Sequence, residues 1–523
     1  MLLLGSVQAK SYDVVLLYLV DSSHGLPTLQ PFPSASNHLI IQMSKPIGIS
    51  MLGCGTVGLP LFRMLSGAGD TCCFRTIVVG NPDQPKYDEL RLVEGLNLIS
   101  SAEYDESGGA EILQDEETDI VVEVIGGSAY DDSVDPYEKT RDRLLNAIQA
   151  GKHIVTANKT VIAFWGPECF EAADKAGVNI AFEAAVAGSI PIIRLLRTHW
   201  KGQGIRKIAG ILNGTCNYIL TRMPEFRDAH APMPDSEKLG REVRRAHYDS
   251  YQNGGMQWAL DHAQVEGLAE AEPSFDVDGH DAAQKLAILA SLAFDTFIEP
   301  SEKNIPRSSI LPLTLDDMKL TEGLGFVIKP LAVAQKEEDS IELRVHPCLI
   351  PARHPLASVS GAFNGVYLES VQTEGQPEGF GEQLYYGKGA GGDATATALF
   401  SDVLEVARRI QDGMVDNPTY YRSDKNLEII SGEDQEAPGY IKSTSRDVPG
   451  VFMNKTRILY GEEESERINI HQIYNLHEYR SQGLVPDVIT IWPTPYRNVQ
   501  RALKRFVKEG VAEEEPLFLR IEE

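Results

Sequence analysis

The sequence predicts an α/β protein whose first large domain is a doubly wound parallel sheet, and three observations carry that expectation. From Lys45 to about Ile180, short apolar runs alternate with helical periodicity, the pattern of strands buried between two layers of helices. One of these runs ends in the turn Gly53-Cys54-Gly55-Thr56-Val57-Gly58 and passes directly into an apolar helical stretch. From Glu183 to about Leu384 the pattern shifts to longer helices mixed with strands, so a second, α+β domain follows.

The elements follow in order. Ile47 to Leu52 reads as the first strand and Leu59 to Leu65 as its helix. Thr76 to Val79 is the next strand, and Asp119 to Ile125 the one after, ending at Gly126-Gly127. Asp135-Pro136 combines an N-cap with proline at the first helical position, and that helix stops at Gly151. His153 to Thr156 is a strand, Gly166-Pro167 opens a helix that ends near Gly177, and Asn179 to Phe182 closes the series. Pro224 to Trp258 is polar and proline-punctuated, the composition of an inserted loop. Gly387 to about Ile410 is a glycine-rich turn and helix, and the polar stretch from Ser423 through Pro438 reads as a linker. Residues 439–523 form a compact βαββα-like pattern.

Composition narrows the function classes. A chain of 523 residues exceeds one core, and 42% hydrophobic with 24% charged residues is the balance of a soluble globular protein. The net charge of −27 repels phosphate backbones, so no nucleic-acid partner is expected. No segment approaches the ~20 apolar residues that cross a bilayer, and the run Val14 to Val20 is flanked by Asp13 and Asp21. No membrane partner is expected either. The first 44 residues hold one lysine and no arginine, which argues against a transit peptide. They read as an N-terminal extension without clear periodicity, and an upstream translation start with Met43 opening the working protein would account for them. The six cysteines show no CxxC or Cys/His metal spacing, as expected of reduced thiols in a cytoplasmic protein.

Four motifs carry chemistry. In the Gly53–Gly58 turn, glycines allow a tight bend and close approach of a pyrophosphate to a helix N-terminus, the Rossmann-type arrangement. Near the end of the second strand, Asp83 would suit a ribose hydroxyl and Lys86 a 2′-phosphate, which leaves the choice of nicotinamide cofactor open. Lys159, in Thr156-Ala157-Asn158-Lys159, follows a strand at the sheet edge where ligands gather; a solvated surface lysine is the plainer alternative. Glu183 and the small-residue backbone through Val186, Gly188 and Ile190 can offer oxygens to a hard cation, although an ordinary strand-to-helix turn fits the same residues. Asp281 and Lys285 stand four apart on an apolar helix and so share a face. Such a pair beside other carboxylates could polarise a carbonyl and move a proton, or could be a surface ion pair.

Taken together, these segments resemble the homoserine dehydrogenase family. The matching stretches are GCGTVG (53–58), TANK (156–159), EAAVAGSIPII (183–193), GILNGTCNYILTRM (210–223), the run 267–285, HPLASVSGAFN (354–364) and YYGKGAGGDATATALFSD (385–402). Their order matches the family's and spans about 45 to 410. The resemblance implies an NAD- or NADP-dependent interconversion of L-homoserine and L-aspartate 4-semialdehyde. It assigns Lys285 as proton donor and acceptor, Asp281 and Glu270 as substrate-holding residues with Asp276 in the same site, and Lys159 as a catalytic contact to cofactor and substrate. It further places Gly53, Gly55, Thr56, Val57, Gly58, Gly126, Gly267 and Gly391 beside the cofactor. Glu183 with the backbone of Val186, Gly188 and Ile190 falls on a sodium site. The chain departs from the family pattern at Gly80, Ser189, Cys216, Leu268 and Asp393, none of them an expected catalytic group.

Tyr440-Ile441-Lys442-Ser443 followed by Asp447-Val448-Pro449-Gly450-Val451 resembles the opening of an ACT domain, a ferredoxin-like regulatory fold. The resemblance implies pairing between chains, hence a homodimer or homotetramer, and a threonine effector; a ligand-free structural cap fits the same pattern. The expected domains are an extension at 1–44, a nucleotide-binding domain at 45–182 plus 385–425, a catalytic and dimerisation domain at 183–384, and the ACT-like domain at 439–523. The rival from another class is a catalytically idle sensor of nicotinamide cofactor and amino acid. A further rival is another amino-acid-linked dehydrogenase on the same fold.

Overall fold

A computed structural model describes residues 2–9, 12–19, 45–68, 71–125, 135–226, 255–372, 379–417, 427–476 and 483–522. The chain divides into two units, Met1–Lys45 and Pro46–Glu523. In the first, β1 (Leu2–Ala9) and β2 (Tyr12–Leu19) pair as an antiparallel hairpin with Leu2 opposite Leu19, where the sequence had suggested no regular element. Among the described residues no helix is long and apolar enough to cross a membrane.

The second unit opens with a six-stranded parallel sheet. Its strands are β3 (Ile47–Leu52), β4 (Cys72–Val79), β5 (Asn97–Ser100), β6 (Ile120–Glu123), β7 (His153–Thr156) and β8 (Ile180–Ala181). Their order is β5-β4-β3-β6-β7-β8, the doubly wound arrangement whose ligand crevice opens where β3 and β6 part. Strands β3 and β6 are buried at every position, so both faces are mostly apolar and even Ser50 and Glu123 are enclosed. The edge strand β5 went unrecognised because Asn97-Leu98-Ile99-Ser100 is short and half polar.

One helix differs in a way its chemistry explains. It begins at Lys159, seven residues before the expected Gly166-Pro167 start, and runs to Ala176 with Pro167 inside it. The Asn158 side chain caps it by accepting from the Val161 N–H at 3.1 Å. Proline cannot follow a regular turn without clashing, and Trp165 relieves the conflict with a non-helical φ of −125° and ψ of 16°. Likewise the helix Gly255–Val265 takes in Gly255 to Trp258, the end of the stretch expected as an inserted loop; 227–254 lie outside the described residues.

The chain returns to the first sheet late. Ala396, Leu399, Val403 and Val406 of the helix Gly392–Asp412 pack against Leu61, Phe62 and Leu65 of the helix Gly58–Ser66. The second sheet has ten strands. β9 (Ile205–Ile211), β10 (Phe326–Glu337), β11 (Ser340–Pro351), β12 (Phe363–Ser370) and β13 (Glu382–Lys388) lie in the order β13-β12-β9-β10-β11. β14 (Glu428–Ile429) adds to β11, and β15 (Glu436–Arg446), β16 (Ile470–Asn475) and β17 (Leu484–Pro495) continue the sheet through β18 (Leu517–Ile521).

β18 joins the two halves: it pairs parallel with β11 and antiparallel with β15. The C-terminal pattern is therefore βαββαβ, one strand more than the sequence suggested. Within the stretch expected as linker, Glu428 and Ile429 instead pair with β11, Gln435 is buried, and Glu436 and Ala437 pair with β17. Tyr440, Val488 and Leu519 share a core with Ile328 and Leu349, so residues 439–523 are no detachable tail.

A buried ion cluster fastens this seam. Glu522 accepts from Arg344 Nε at 3.0 Å and Nη2 at 2.5 Å, with Lys207 Nζ at 3.4 Å. Burial alone would raise the Glu522 carboxyl, but Arg344 and Lys207 outweigh it and hold it down at about 2. Its stabilising contribution is present above the unfolded carboxylate value of about 4.3 and is lost as pH falls toward 2. Glu522→Gln should cost about 3 kcal/mol at neutral pH. Urea unfolding at pH 7 and pH 3 should show the gap between wild type and variant shrinking in acid; an equal gap at both would contradict the role of Glu522.

Candidate active site

The Gly53–Gly58 turn divides its labour. Gly53 has φ +97°, and a side chain there would meet the Val124 carbonyl oxygen at 2.8 Å. A side chain at Gly58 would meet the Gly53 oxygen at 2.8 Å. Both glycines are thus needed by the chain itself. Gly55 differs, with no atom within 4 Å of where its Cβ would stand. It leaves an open approach to the N-terminus of the helix Gly58–Ser66, whose first N–H groups have no side-chain cap, a ready anion site. Thr56 is pressed from the other side, since a Cβ on Gly392 would lie 2.3 Å from its oxygen. That contact carries Gly391, at φ +114°, to the same loop.

A cleft of about 690 Å³ extends from this turn, lined by Gly53 to Val57, Gly80, Tyr104, Asp105, Lys139 and Arg143. Asp83 and Lys86 are exposed and do not line it. Its charged groups belong to no motif in the sequence: Asp105 bridges Lys139 and Arg143, each at 2.6 Å. Gly126 lies outside the described residues.

The cleft shares Val57, Val124 and Ile125 with a second cavity lined by Lys159, Asp281, Lys285, Gly389 and Thr395. Lys285 Nζ donates to Asp281 Oδ2 at 2.7 Å and to the Leu212 carbonyl at 2.9 Å. An ammonium has three donors, so one N–H remains for a ligand in the cavity. Lys159 Nζ lies 3.3 Å from Asp281 Oδ1. Asn213 Nδ2 donates to Asp281 Oδ2 at 2.9 Å and to Asp276 Oδ1 at 2.7 Å, and Asn364 Nδ2 binds the Leu212 oxygen at 3.0 Å. Leu212 and Asn213, directly after β9, are therefore the hub that sequence reasoning missed. The one signal was the asparagine before a helix start, and Asn213 does cap the helix Gly214–Arg222 by accepting from the Cys216 N–H at 2.8 Å.

Charge organises the cluster. Burial disfavours ionised Asp281, but Lys285 and Lys159, with hydrogen bonds from Lys285 and Asn213, hold its carboxyl well below the usual range. Asp276 moves the other way, raised by burial and by the Asp281 charge. Burial works against the Lys159 ammonium, and Asp281 outweighs it and raises the group. Phe275 presents its ring to Lys159 Nζ at 5.4 Å. On the cavity floor Glu123 accepts from Thr156 Oγ1 at 2.6 Å, yet complete burial still raises its carboxyl.

The remaining candidates are more distant. Glu270 is exposed and Gly267, at φ +72°, lies on the same turn after the helix Gly255–Val265; neither lines the Lys285 cavity. Glu183 is buried and spends both oxygens on the N–H groups of Ile193 and Arg194, at 2.8 and 2.9 Å. Burial raises its carboxyl, and burial together with Glu183 pushes the adjoining Asp402 up to about 7. Ala187 and Gly188 turn with φ +58° and +53°, and a side chain at Gly188 would come within 2.8 Å of the Lys388 and Gly389 backbone. The Ile190 oxygen accepts from Ile192, while those of Val186 and Gly188 accept no backbone hydrogen bond among the described residues. A cation at this loop would meet carbonyl oxygens rather than the Glu183 carboxylate. Among the described residues no group of three or more His, Cys, Asp or Glu is poised to hold a metal.

A dinucleotide crevice that runs into a cavity holding a buried lysine–aspartate pair is the layout of a nicotinamide-dependent dehydrogenase, an oxidoreductase. A family model described as "Homoserine dehydrogenase, NAD binding domain" matches residues 53–183, and one described as "Homoserine dehydrogenase" matches 191–404. A homoserine dehydrogenase of Pseudomonas aeruginosa is 33% identical over 496 residues, covering 90% of this chain and 96% of its own. One from Synechocystis is 36% identical over 415 residues, covering 78% and 84%. The crystal structure of a homoserine dehydrogenase from Thiobacillus denitrificans, 32% identical, covers 92% of this chain and 99% of its own with a TM-score of 0.74. The chain belongs to the homoserine dehydrogenase family.

The glycine geometry generates a test. Gly55→Val should fold normally, because no protein atom opposes the side chain, yet weaken NAD(P) binding at least ~10-fold, about 1.4 kcal/mol. Fluorescence titration and a thermal melt check both halves. A fall in melting temperature with unchanged cofactor affinity would contradict the assignment of the open face.

Proposed function

We propose that Lys285 is the acid–base of the family's reaction, the interconversion of L-homoserine and L-aspartate 4-semialdehyde. The observation that carries this is its ammonium, fixed between Asp281 and the Leu212 carbonyl with one N–H left over. Bound in the glycine-lined cleft, NAD or NADP supplies or accepts the hydride. Lys285 gives its remaining proton to the aldehyde oxygen as the carbon is reduced, and takes the hydroxyl proton in the reverse direction. Asp281 orients Lys285 by accepting its hydrogen bond. Lys159, paired with the same carboxylate, is placed to meet the substrate carboxylate and the cofactor.

Asp276 and Glu270 are the groups we assign to the substrate's ammonium and hydroxyl; Asp276 reaches the cluster through Asn213, and Glu270 would have to join from its exposed turn. Gly126, Gly267 and Gly391 remain proposed cofactor contacts. Sodium is the cation we propose for the Glu183, Val186, Gly188 and Ile190 carbonyls, which fits the unoccupied acceptors of Val186 and Gly188. Lys139 and Arg143 supply positive charge to the cleft, which suits a phosphorylated ribose. Domains at 45–182 plus 385–425, 183–384 and 439–523, a homodimer or homotetramer, a threonine effector at the ACT-like residues and a cytoplasmic setting complete the proposal.

Lys285→Ala should lower homoserine turnover at least ~100-fold, the scale of a lost general acid, with cofactor affinity near normal. Stopped-flow and cofactor titration check this. Unchanged turnover would remove Lys285 from the chemistry, and cofactor binding without turnover in the wild type would instead indicate an idle sensor.

A further inference from the structure

The dinucleotide cleft and the Lys285 cavity share Val57, Val124 and Ile125, and Glu123, the last residue of β6, lines the second of them. Leu52, Glu123 and Thr156 stand in one row across β3, β6 and β7, at the C-terminal edge of the parallel sheet where ligands gather. Glu123 is completely buried. Its Oε1 accepts from the Ile125 N–H at 2.8 Å and its Oε2 from Thr156 Oγ1 at 2.6 Å, and the Asn158 side chain adds a further hydrogen bond. Thr156 Oγ1 itself accepts from the Asn158 N–H at 2.9 Å, which leaves the hydroxyl proton for Glu123. Donors on both oxygens suit the ionised form.

What this carboxyl lacks is a counter-charge. Buried carboxylates elsewhere in the chain carry their own cations: Asp281 has Lys285 and Lys159, Glu522 has Arg344, and Asp487 has Lys455. Among the described residues no cation forms an ion pair with Glu123. Lys159 lines the same cavity but is spent on Asp281, and Arg143, which acts on Glu123 from the cleft, is paired with Asp105 at 2.6 Å. Burial therefore still raises the group. A buried carboxylate with hydrogen bonds and no counter-charge is costly, and a visiting cation relieves it.

On the dehydrogenase reading, on which this inference rests, hydride passes between cleft and cavity, so the cofactor ring lies where the two meet. The reaction brings two positive charges there. The substrate ammonium needs accessible oxygens to bond to, and those of Glu123 are enclosed. The oxidised nicotinamide ring is a flat, delocalised cation that responds to the field alone and becomes neutral on taking up hydride. We propose that Glu123 is the counter-charge of the oxidised nicotinamide, and that it tightens the binding of NAD(P)⁺ relative to NAD(P)H.

Calorimetric dissociation constants for the oxidised and the reduced cofactor, taken without substrate, test this on the wild type, Glu123→Gln and Thr156→Val. The first variant removes the charge at nearly constant shape. The second keeps the carboxyl and strips a donor that favours its ionised form, so a folding defect in one leaves the other informative. Affinity for the oxidised form should fall relative to the reduced form, at least ~10-fold in Glu123→Gln and at least ~3-fold in Thr156→Val. A merely structural role would weaken both forms together and leave their ratio where it was. An unmoved ratio in the folded variants would overturn the proposal. So would a raised KM for homoserine with the cofactor ratio unmoved, which would give the charge to the substrate. A wild type that binds neither form would strike the dehydrogenase reading itself, and the proposal with it.

Discussion

Two ammonium groups share one buried carboxylate at this centre, and the rest of the site depends on that arrangement. Asp281 lies 2.7 Å from Lys285 and 3.3 Å from Lys159. Buried alone, each of these charges would be driven toward its neutral form. Together, with Asn213 donating to the carboxylate and Leu212 accepting from Lys285, Asp281 is held down and Lys159 held up against the burial that works on both. The cluster thus holds two lysines against one carboxylate in a secluded cavity. Asp276, raised by the same neighbour that is itself held down, shows how one pair of lysines separates two adjacent carboxyl groups.

The fold delivers these groups from three directions. Lys159 follows β7 of the parallel sheet, Leu212 and Asn213 follow β9 of the second sheet, and Asp281 with Lys285 ride the buried helix His280–Phe294. The second sheet is in turn bound to its C-terminal strands through β18 and the Arg344–Glu522 pair. The helix is set against that sheet at Gly279, where a side chain would come within 2.9 Å of Val345 on β11. Strand order therefore ties the position of Lys285 to residues at the far end of the chain.

Much of this was legible in the sequence because its signals are local. The glycine turn, the apolar strands β3, β6 and β7, and the four-residue spacing of Asp281 and Lys285 each follow from short-range rules. What escaped depends on partners distant in sequence. Asn213 sits more than sixty residues from the carboxylates it joins, and nothing in its surroundings announces that. β18 is five residues that become a strand only because β11 and β15 flank them. The helix containing Pro167 was placed late because proline near a start is the common case, and the kink at Trp165 has no sequence mark. The Glu183 carboxylate suggested a cation ligand until its two oxygens were found on the Ile193 and Arg194 amides.

The central claim is that the Leu212–Asn213 turn fixes the position and direction of Lys285 through Asp281. The most direct test is the pH dependence of kcat for reduction of L-aspartate 4-semialdehyde in Asn213→Ala beside the wild type. Loss of its two donated hydrogen bonds should raise both carboxyl groups, lowering kcat at least ~10-fold and moving the acid limb of the profile upward, with cofactor affinity unchanged. A variant with wild-type kcat and an unmoved acid limb would contradict the account.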